Sequence, residues 1–403
     1  MSLTLIEFYD KSPLANVASI LALRPKKVIF LGKNIRQMRR NTKHYQSWLA
    51  AKDIETLIEC HSISLNSLLN MQKEINCLIE ENPNCVFDIT GGNELALVAL
   101  GSLTPFLKEK NIAIHRVNLH NQRTMALFPS KIPFEVIEPK LTIAESVSLY
   151  GGRVIFDNER SGATHLWDWS DSFCHDVNLL WQLVRRNCVD WNSQITQLGS
   201  VINPNSTYVS GTISETLSLW YTDLFYEMQV NGLIHDLFIG SNQFSFKTKD
   251  TQISRALGKA GTVLELKTCL LVRELQGLEA PHFNDILTGV YIDWDGKIKH
   301  EKNNVRDTEN EIDVMCVRGL RPLFISCKNG SIDEVELYKL QTVSKRFGGE
   351  YGRAALIASY IDRNISRVEY LRQRAADMGI TLIEDVDLLD DHELSRKLKA
   401  LLS

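Results

Sequence analysis

Two apolar segments joined by a tight turn bring an aspartate and a lysine within reach of each other. Residues 309–317 (ENEIDVMCV) and 322–330 (PLFISCKNG) each predict a β-strand. If the loop comprises residues 319–322, Asp313 lies opposite Lys328. Directly opposed residues of an antiparallel pair have Cβ atoms roughly 4.5–5.5 Å apart. The sequence therefore predicts an Asp–Lys pair on one face of a sheet.

An opposed aspartate and lysine suit phosphodiester hydrolysis. A carboxylate binds a hard divalent cation through oxygen, and the cation polarises the phosphate and lowers the pKa of water. A lysine can position or deprotonate that water and offset developing charge. Glu311 and Ser326 share this face because side chains alternate along a strand. A surface salt bridge is the alternative, which is disfavoured by the apolar flanking residues Ile312, Val314, Leu323 and Ile325.

A second candidate site follows an apolar strand in the first quarter of the chain. Residues 84–90 (NCVFDIT) predict a buried strand, and residues 95–103 predict a helix. Gly91 and Gly92 let the backbone approach a ligand, and the helix N-terminus offers unpaired N–H groups and a positive dipole end. The side chains of Thr90 and Asn93 add hydrogen bonds. This pattern predicts an anionic, phosphate-bearing ligand, with a plain strand-to-helix turn as the alternative.

Two neighbouring loops are expected to meet at that turn, because ligands of open α/β sheets bind at the carboxyl ends of the strands. Ser12 and Asn16 follow the first predicted strand, and Lys33 and Asn34 follow the second. The sequence has no Gly-x-Gly-x-x-Gly motif and no Walker loop. It therefore disfavours a dinucleotide redox cofactor or a bound nucleoside triphosphate.

Three regions are predicted, and together they give an α/β fold. Strands and helices alternate over residues 1–150, which indicates a Rossmann-like parallel sheet covered by helices. Residues 151–250 hold a cluster of tryptophans (Trp167, Trp169, Trp181 and Trp191) and a helix followed by a two-strand wing, so we interpret them as a connector resembling a winged helix. A packing or dimer element is the alternative to DNA binding there. Residues 251–403 predict a mixed sheet flanked by helices.

The composition is that of an ordinary globular protein. Across 403 residues, 44% are hydrophobic and the formal net charge is −4, which excludes a disordered chain and a uniformly basic nucleic-acid binder but not a local basic channel. Eight cysteines without a Cys-x-x-Cys pair predict buried free thiols in a reducing cytoplasm. The N-terminus lacks a signal-peptide pattern, and the longest apolar run is too short to span a bilayer. We therefore expect a cytoplasmic protein with no membrane partner.

These motifs resemble the CARF-domain nucleases of type III CRISPR systems, the ancillary effectors activated by cyclic oligoadenylate. Residues 310–314 (NEIDV) followed by 324–328 (FISCK) are similar to the PD-(D/E)xK motif of that family. Residues 337–341 (LYKLQ) resemble its next helix, and residues 261–265 (GTVLE) resemble the helix that supplies an early glutamate. Residues 88–92 (DITGG) resemble the Thr-Gly-Gly turn of CARF domains. The resemblance covers essentially the whole chain.

One position departs from the family motif. The family has a glutamate two residues before the lysine, where this chain has Ser326. Either the site is degenerate or a carboxylate arrives from elsewhere, as in some restriction enzymes that take it from the following helix. On that helix Glu336 is in line with the apolar, sheet-facing positions and Glu334 with polar ones, so we choose Glu336 as the metal ligand beside Asp313. Glu265 is either catalytic or a solvated residue beside an apolar stripe.

The resemblance implies a CARF-like sensor over residues 1–150, the connector over 151–250 and a PD-(D/E)xK nuclease over 251–403. It implies a homodimer with one cyclic oligoadenylate, expected to be cyclic tetra-adenylate, on the two-fold axis between two sensor domains. Binding would reposition the nuclease domains around a DNA or RNA strand, with Mg²⁺ or Mn²⁺ as the metal. The implied catalytic residues are Asp313, Lys328, Glu336 and Glu265. The implied ligand-binding residues are Ser12, Asn16, Lys33, Asn34, Thr90, Gly91, Gly92 and Asn93.

Two other functions remain open at this point. A ligand-controlled DNA-binding regulator would use the connector to read DNA and keep the nuclease fold inert, and Ser326 favours it. An enzyme that cleaves its own cyclic activator is the third possibility.

Overall fold

The computed structural model describes residues 3–64, 66–120, 123–128, 138–212, 218–275, 283–297, 308–330, 332–360 and 365–401. The chain divides into two compact units. Unit 1 comprises residues 1–153, 317–322 and 347–351, and unit 2 comprises residues 154–316, 323–346 and 352–403. The predicted connector and the predicted nuclease region thus fall within one unit.

Unit 1 is built on a six-stranded sheet with the strand order β3-β2-β1-β4-β5-β6. Its neighbouring strands are parallel except β5 and β6, which are antiparallel. Because β1 lies between β2 and β4, the chain crosses to the other half of the sheet beside β1, where open α/β sheets bind ligands. The elements are β1 (Thr4–Phe8), α1 (Pro13–Leu23), β2 (Lys27–Gly32), α2 (Ile35–Ala50), β3 (Leu57–Ser62), α3 (Leu68–Glu81), β4 (Cys85–Asp88), α4 (Glu94–Ser102), α5 (Thr104–Glu109), β5 (Ala113–Asn118), β6 (Arg123–Phe128) and α6 (Ile143–Leu149).

Capping residues in the sequence determine where the helices of unit 1 begin. Proline occupies the first turn of α1, where its missing N–H costs no helical hydrogen bond. The side chains of Asn34, Ser67 and Asn93 accept hydrogen bonds from the first turns of α2, α3 and α4. Thr142 and Glu145 form a complete capping box at α6. These local signals fix the turns that follow β1, β2 and β4.

The first part of unit 2 contains helices and a small antiparallel sheet with the order β8-β10-β9. The sequence predicts a two-strand wing, and β9 and β10 form it, but β8 adds a third strand that pairs with β10. Phe225, Phe244 and Phe246 pack together beneath it. The elements are α7 (Asp171–Arg186), α8 (Cys188–Gly199), β8 (Tyr208–Thr212), α9 (Ser218–Val230), β9 (Ile234–Ile239), β10 (Gln243–Thr248) and α10 (Thr251–Ala256).

The second part of unit 2 is a six-stranded mixed sheet with the order β15-β14-β13-β12-β11-β7. Strands β13, β14 and β15 are parallel neighbours. One cluster of buried side chains runs from Phe173 to Leu401, so the connector and the mixed sheet share a core. The elements are β7 (Arg153–Ile155), α11 (Thr262–Glu274), β11 (Asp285–Asp293), β12 (Glu309–Arg318), β13 (Arg321–Lys328), α12 (Glu334–Gly348), β14 (Arg353–Ala358), α13 (Ile365–Asp377), β15 (Ile380–Ile383) and α14 (Asp391–Ala400).

The hairpin of β12 and β13 differs from the sequence prediction in its register. The strand ends leave only Gly319 and Leu320 in the loop, not residues 319–322. Gly319 has a φ of 58°, which a tight two-residue hairpin requires. A two-residue loop sets Asp313 opposite Ser326, and the Ser326 hydroxyl donates a hydrogen bond to the Asp313 carboxylate at 3.0 Å. The prediction that Asp313 lies directly opposite Lys328 is therefore wrong by two positions, which keeps all these side chains on the same face.

All eight cysteines are free, and most are buried, although Cys77 is exposed. Among the described residues, the helices are all too short or too polar to cross a bilayer.

Candidate functional site

In unit 1 the loops that follow β1 and β4 are joined by an aspartate that the sequence analysis did not select. The Asp10 carboxylate accepts hydrogen bonds from the Gly92 N–H at 3.0 Å and from the Ser12 N–H at 2.8 Å. Gly92 has a φ of 115°, and a Cβ there would lie 2.5 Å from the Phe8 Cβ. A glycine is therefore required at this position for the turn to approach β1. Asp10 thus occupies the N–H of Gly92, one of the two glycines at which the sequence predicts close approach of the backbone to a ligand.

Several predicted ligand residues make hydrogen bonds within the protein. The Thr90 hydroxyl donates to Asp88 at 2.8 Å and accepts from the Val117 N–H at 2.8 Å. Asn16 is buried, and its side chain bonds both backbone groups of Asp10. Asn34 and Asn93 cap α2 and α4 at exposed positions, and Lys33 is exposed. Lys33 and the two cap residues thus lie at the surface on the loops after β2 and β4.

A row of buried titratable groups crosses the sheet of unit 1 below these loops. Glu7, Asp88 and His115 are register partners on β1, β4 and β5. All three are buried, and Ser19 from α1 donates a 2.5 Å hydrogen bond to Asp88. Neither oxygen of the Glu7 carboxyl bonds to another described residue. Burial, together with the charge of Asp88, raises the pKa of Glu7 well above its usual value. The only sequence signal was a glutamate inside the apolar segment TLIEF.

Relative to wild type, the Glu7→Gln variant should become more stable as pH rises. A carboxyl whose folded-state pKa is raised stabilises the fold below its unfolded pKa, and this contribution is lost as pH rises towards the folded value. Removing the titration should therefore make the variant more stable relative to wild type, by up to about 1.4 kcal/mol for each pH unit in that window. Denaturant unfolding at pH 5, 6, 7 and 8 measures the difference.

Glu59→Gln is the matched control in the same sheet. Burial opposes ionisation of Glu59, but Lys27 and His61 outweigh it and lower the pKa of this carboxyl. Its ionised form therefore stabilises the fold, and the substitution should cost stability at neutral pH. A Glu7→Gln difference that stays constant between pH 5 and pH 8 would contradict the buried, protonated state of Glu7.

In unit 2 the predicted catalytic aspartate is held from β13. One Asp313 carboxylate oxygen accepts the Cys327 N–H at 2.6 Å and the Ser326 hydroxyl at 3.0 Å. The Thr288 hydroxyl donates to the backbone carbonyl of Asp313 at 2.9 Å. These bonds fix the orientation of the carboxylate on the face of the mixed sheet.

Glu265 lies close enough to Asp313 for the charge of one carboxyl to affect ionisation of the other. It stands in the first turn of α11, where the helix dipole favours an anion. Even so, burial and the charges of Asp313 and Glu311 raise its pKa well above the usual value, against the opposing effect of Lys259 and Lys328. Burial also raises the pKa of Asp313, although Lys328 and its hydrogen bonds oppose that rise. Two neighbouring carboxyls that resist ionisation mark a place where a cation would be stabilised.

The structure places Lys328 against the glutamate that was chosen on the following helix. The Lys328 Nζ lies 2.9 Å from a Glu336 oxygen, and the Lys339 Nζ lies 2.9 Å from the other. Burial opposes the charge of Lys328, but Asp313 and Glu336 outweigh it and raise its pKa, so Lys328 is a cation at neutral pH. Glu334 instead pairs with Arg374 of α13 at 2.9 Å and is half-buried. The difference between Glu334 and Glu336 follows the helical spacing that the sequence analysis used.

The donor set at this site fits a hard divalent cation only with water completing the coordination. Asp313 and Glu265 supply two carboxylates, which is a common number for Mg²⁺ in proteins. Both Glu336 oxygens are engaged by lysines, so that carboxylate is less available as a ligand. Within the described ranges, no group of three or more His, Cys, Asp or Glu side chains is arranged to hold a metal.

A cavity of about 270 Å³ lies next to these carboxylates, and Glu265 and Glu311 form part of its wall. The lining comes from the connector, α11 and β11 together, so no single stretch of the sequence predicts the cavity. Its aromatic and basic lining residues are His165, Trp167, Tyr291, Arg255 and Lys259.

Two solved structures share the fold of this chain. The crystal structure of protein VC1899 from Vibrio cholerae has a TM-score of 0.75 at 17% sequence identity, and the match covers 99% of this chain and 98% of that chain. Can2 from Sulfobacillus thermosulfidooxidans, solved in complex with cyclic tetra-adenylate, has a TM-score of 0.64 at 17% identity, covering 99% and 97%. No protein-family model matches the sequence, and no curated protein does. The α/β fold expected from the sequence is confirmed over the whole length of both structures.

Proposed function

We propose that the chain is a metal-dependent nuclease that hydrolyses phosphodiester bonds of DNA or RNA and is activated by a cyclic oligoadenylate. The observation that carries this proposal is the grouping of Asp313, Glu265 and Lys328, with raised pKa values at both carboxyls and with Glu265 in the wall of a cavity. Perturbed titratable groups in a cleft are characteristic of active sites.

The roles of the residues follow from their contacts. Asp313 and Glu265 would hold Mg²⁺ or Mn²⁺, and the metal when bound polarises the phosphate and activates water. The Cys327 N–H and the Ser326 hydroxyl keep the Asp313 carboxylate oriented. Lys328 is a cation, so it offsets charge on the phosphate rather than removing a proton from water. Glu336 holds Lys328 in place, or else turns from the lysines to the metal as the sequence hypothesis requires.

A cyclic oligoadenylate would bind at the loops of unit 1. These loops follow β1, β2 and β4 at the carboxyl edge of the sheet, the usual ligand position in this architecture. The likeness to Can2, which was solved with cyclic tetra-adenylate, supports that nucleotide as the activator to test first. Lys33 on the loop after β2 is exposed and supplies positive charge for a phosphate.

A homodimer through unit 1 is part of the proposal. Helix α4 is apolar on all sides, yet Leu95 is 39% exposed and Val98 is 57% exposed. A helix that is hydrophobic all round is normally covered. A second copy of unit 1 packed on α4 would bury these side chains and place two nucleotide sites about a two-fold axis.

Gly91→Val should weaken binding of the activator without harming the chemistry. A Cβ at position 91 would lie 2.7 Å from the Asp10 Cβ and 3.2 Å from the Ala15 Cβ, so the larger side chain must displace the loop that Asp10 closes. We expect cyclic tetra-adenylate to bind about tenfold or more weakly by isothermal titration, since displaced contacts each contribute about 1 kcal/mol. Cleavage at saturating activator should stay near the wild-type rate. Unchanged affinity would remove these loops from the ligand site.

A ligand-controlled DNA-binding regulator is the second candidate, and Ser326 favours it because a serine supplies no charged ligand where the family has glutamate. A nuclease assay separates the two. Single- and double-stranded DNA and RNA are incubated with Mn²⁺, with and without each cyclic oligoadenylate. A nuclease degrades at least one substrate in response to one activator, whereas a regulator leaves all four intact. Chromatography of the nucleotide after the same incubation tests whether the activator itself is cleaved.

A further inference from the structure

The cavity beside the carboxylates has walls that suit a planar aromatic ligand. At about 270 Å³ it lies just below the roughly 300–1,000 Å³ range of small-molecule pockets, so it has room for one ring system and little more. Its lining includes two aromatic side chains, a histidine ring and four glycines. The three rings are Trp167, Tyr291 and His165, which belong to unit 2.

The aromatic wall is fixed in position before any ligand arrives. Trp167 stacks on Phe173 with a centroid distance of 5.4 Å and an interplanar angle of 10°. His165 contacts the Trp167 ring edge-on at 5.0 Å and is held at 3.2 Å by Asp157. Tyr291 donates a 2.8 Å hydrogen bond to Glu311. Rings fixed in this way bind a ligand at little entropic cost.

Two basic side chains, Lys259 and Arg255, also line the cavity, and each is paired with a carboxylate. Lys259 is largely exposed, and its Nζ lies 3.4 Å from Glu311, which is a long and weak contact. It is therefore able to turn towards a phosphate. Arg255 is bound at 3.3 Å by Asp157 and is less exposed. The cavity thus offers aromatic faces and an exposed, weakly paired cation beside Glu265 and Glu311.

We propose that this cavity binds one nucleobase of the substrate strand, with Trp167 as the stacking surface and Lys259 contacting an adjacent phosphate. This inference rests on the proposed nuclease function and specifies how that site selects its substrate. A base stacks on an aromatic ring whatever its sequence, and a basic side chain follows the backbone. Because a base inside a duplex is stacked on both faces, the cavity accepts a base only from an unpaired nucleotide or one turned out of the helix.

Binding of a labelled single strand tests the proposal without cleavage. The probes are a fluorescein-labelled DNA 12-mer, the same sequence in RNA, and a DNA 12-mer with abasic residues at every position. Full-length protein is titrated with Ca²⁺ in place of Mg²⁺ and with saturating cyclic tetra-adenylate, and fluorescence anisotropy gives the Kd. The DNA and RNA arms show which backbone the cavity accepts.

Trp167→Ala should weaken binding of the intact strands about tenfold, as expected for loss of one base–aromatic stack. Trp169→Ala is the matched control: its ring also packs on Phe173, at 5.6 Å, but in the described part of the chain it does not line the cavity. Wild-type protein should bind the abasic strand about tenfold more weakly than the intact one, and Trp167→Ala should show no such difference. Lys259→Ala should reduce the slope of log K against log salt concentration by the amount that corresponds to about one phosphate contact.

The outcomes separate the inference from the function on which it rests. If wild-type protein binds none of the single strands but degrades a substrate in the nuclease assay, only the base pocket is wrong; if it neither binds nor degrades any of them, the proposed nuclease function is wrong. If it binds them and the Trp167→Ala and Trp169→Ala variants have the same Kd, only the proposal of the base pocket is wrong. The comparison of intact and abasic strands on wild-type protein decides the matter even if Trp167→Ala does not fold.

Discussion

Asp313→Asn should abolish cleavage of every nucleic-acid substrate, with a loss of at least about a thousandfold, while the protein stays folded and binds its activator. The substitution removes the charged ligand at the centre of the proposed metal site, and loss of a metal's electrostatic contribution costs several kcal/mol of transition-state stabilisation. Asparagine keeps an oxygen that can accept the Cys327 N–H, so the local geometry of β12 and β13 is retained.

Stability of the metal-free protein provides a second measurement on the same variant. Burial raises the pKa of Asp313, so its charge destabilises the fold at neutral pH, and Asp313→Asn should raise the Tm slightly when the metal is chelated. Activator titration should be unchanged because the nucleotide loops belong to unit 1. Cleavage at the wild-type rate by Asp313→Asn would show that the active site lies elsewhere.

Lys328→Ala should be nearly as damaging, and Lys339→Ala is its matched control. Both lysines lie 2.9 Å from a Glu336 oxygen, but Asp313 raises the pKa of Lys328 and Lys339 is exposed on α12. Only Lys328 is therefore placed to offset charge on a phosphate bound at Asp313. Equal losses in the two variants would mean that the lysines act through Glu336 alone.

The second large effect concerns the carboxylate that replaces the one absent at position 326. If Glu336 binds the metal, Glu336→Ala should lower the rate about a thousandfold or more and raise the metal concentration needed for half activity. If Glu336 only positions Lys328, the rate should fall while the metal requirement stays the same. Glu265→Gln should then show the increased metal requirement, because Glu265 is the buried carboxyl whose pKa the charge of Asp313 raises. Glu334→Ala should do little in either case, since Glu334 pairs with Arg374.

A variant that moves the carboxylate from position 336 to position 326 tests the role of Glu336 further. Ser326 donates its hydroxyl to Asp313 at 3.0 Å, so a glutamate at position 326 would place its carboxylate beside Asp313. Ser326→Glu combined with Glu336→Ala should recover part of the activity that Glu336→Ala loses. Rates are measured over a Mg²⁺ titration in both backgrounds. Full activity in Glu336→Ala alone would end the hypothesis and move the metal-binding role to Glu265 or Glu311.

Much of the local structure follows from the sequence because hydrophobic periodicity and capping are local properties. The alternation of strands and helices over the first 150 residues predicts the parallel sheet, and the cap residues mark where its helices begin. Helical spacing places Glu336 towards the sheet and Glu334 away from it, and their ion pairs with Lys328 and Arg374 follow that division. The Thr-Gly-Gly turn after β4 is where its residues predict it.

The hairpin register and the partners of the ligand residues were decided by tertiary structure. Both a four-residue and a two-residue loop keep Asp313 and Lys328 on one face, so periodicity alone does not distinguish them, and only packing selects the loop of Gly319 and Leu320. The sequence predicts Thr90 as a ligand residue from its place in the turn before α4. In the fold the Thr90 hydroxyl is bonded to Asp88 and to Val117, 27 residues away.

The sequence by itself determined the elements, the α/β architecture and the types of side chain available for phosphate chemistry, because each depends on neighbours within a few residues. Only the tertiary structure brought Glu265 to Asp313, Asp10 to Gly92, and Trp167 to the wall of a cavity beside Glu265. These contacts join residues separated by 48 to 98 positions in the chain. Charge, burial and pKa at such sites are set by distance in space, which a pattern along the chain does not contain.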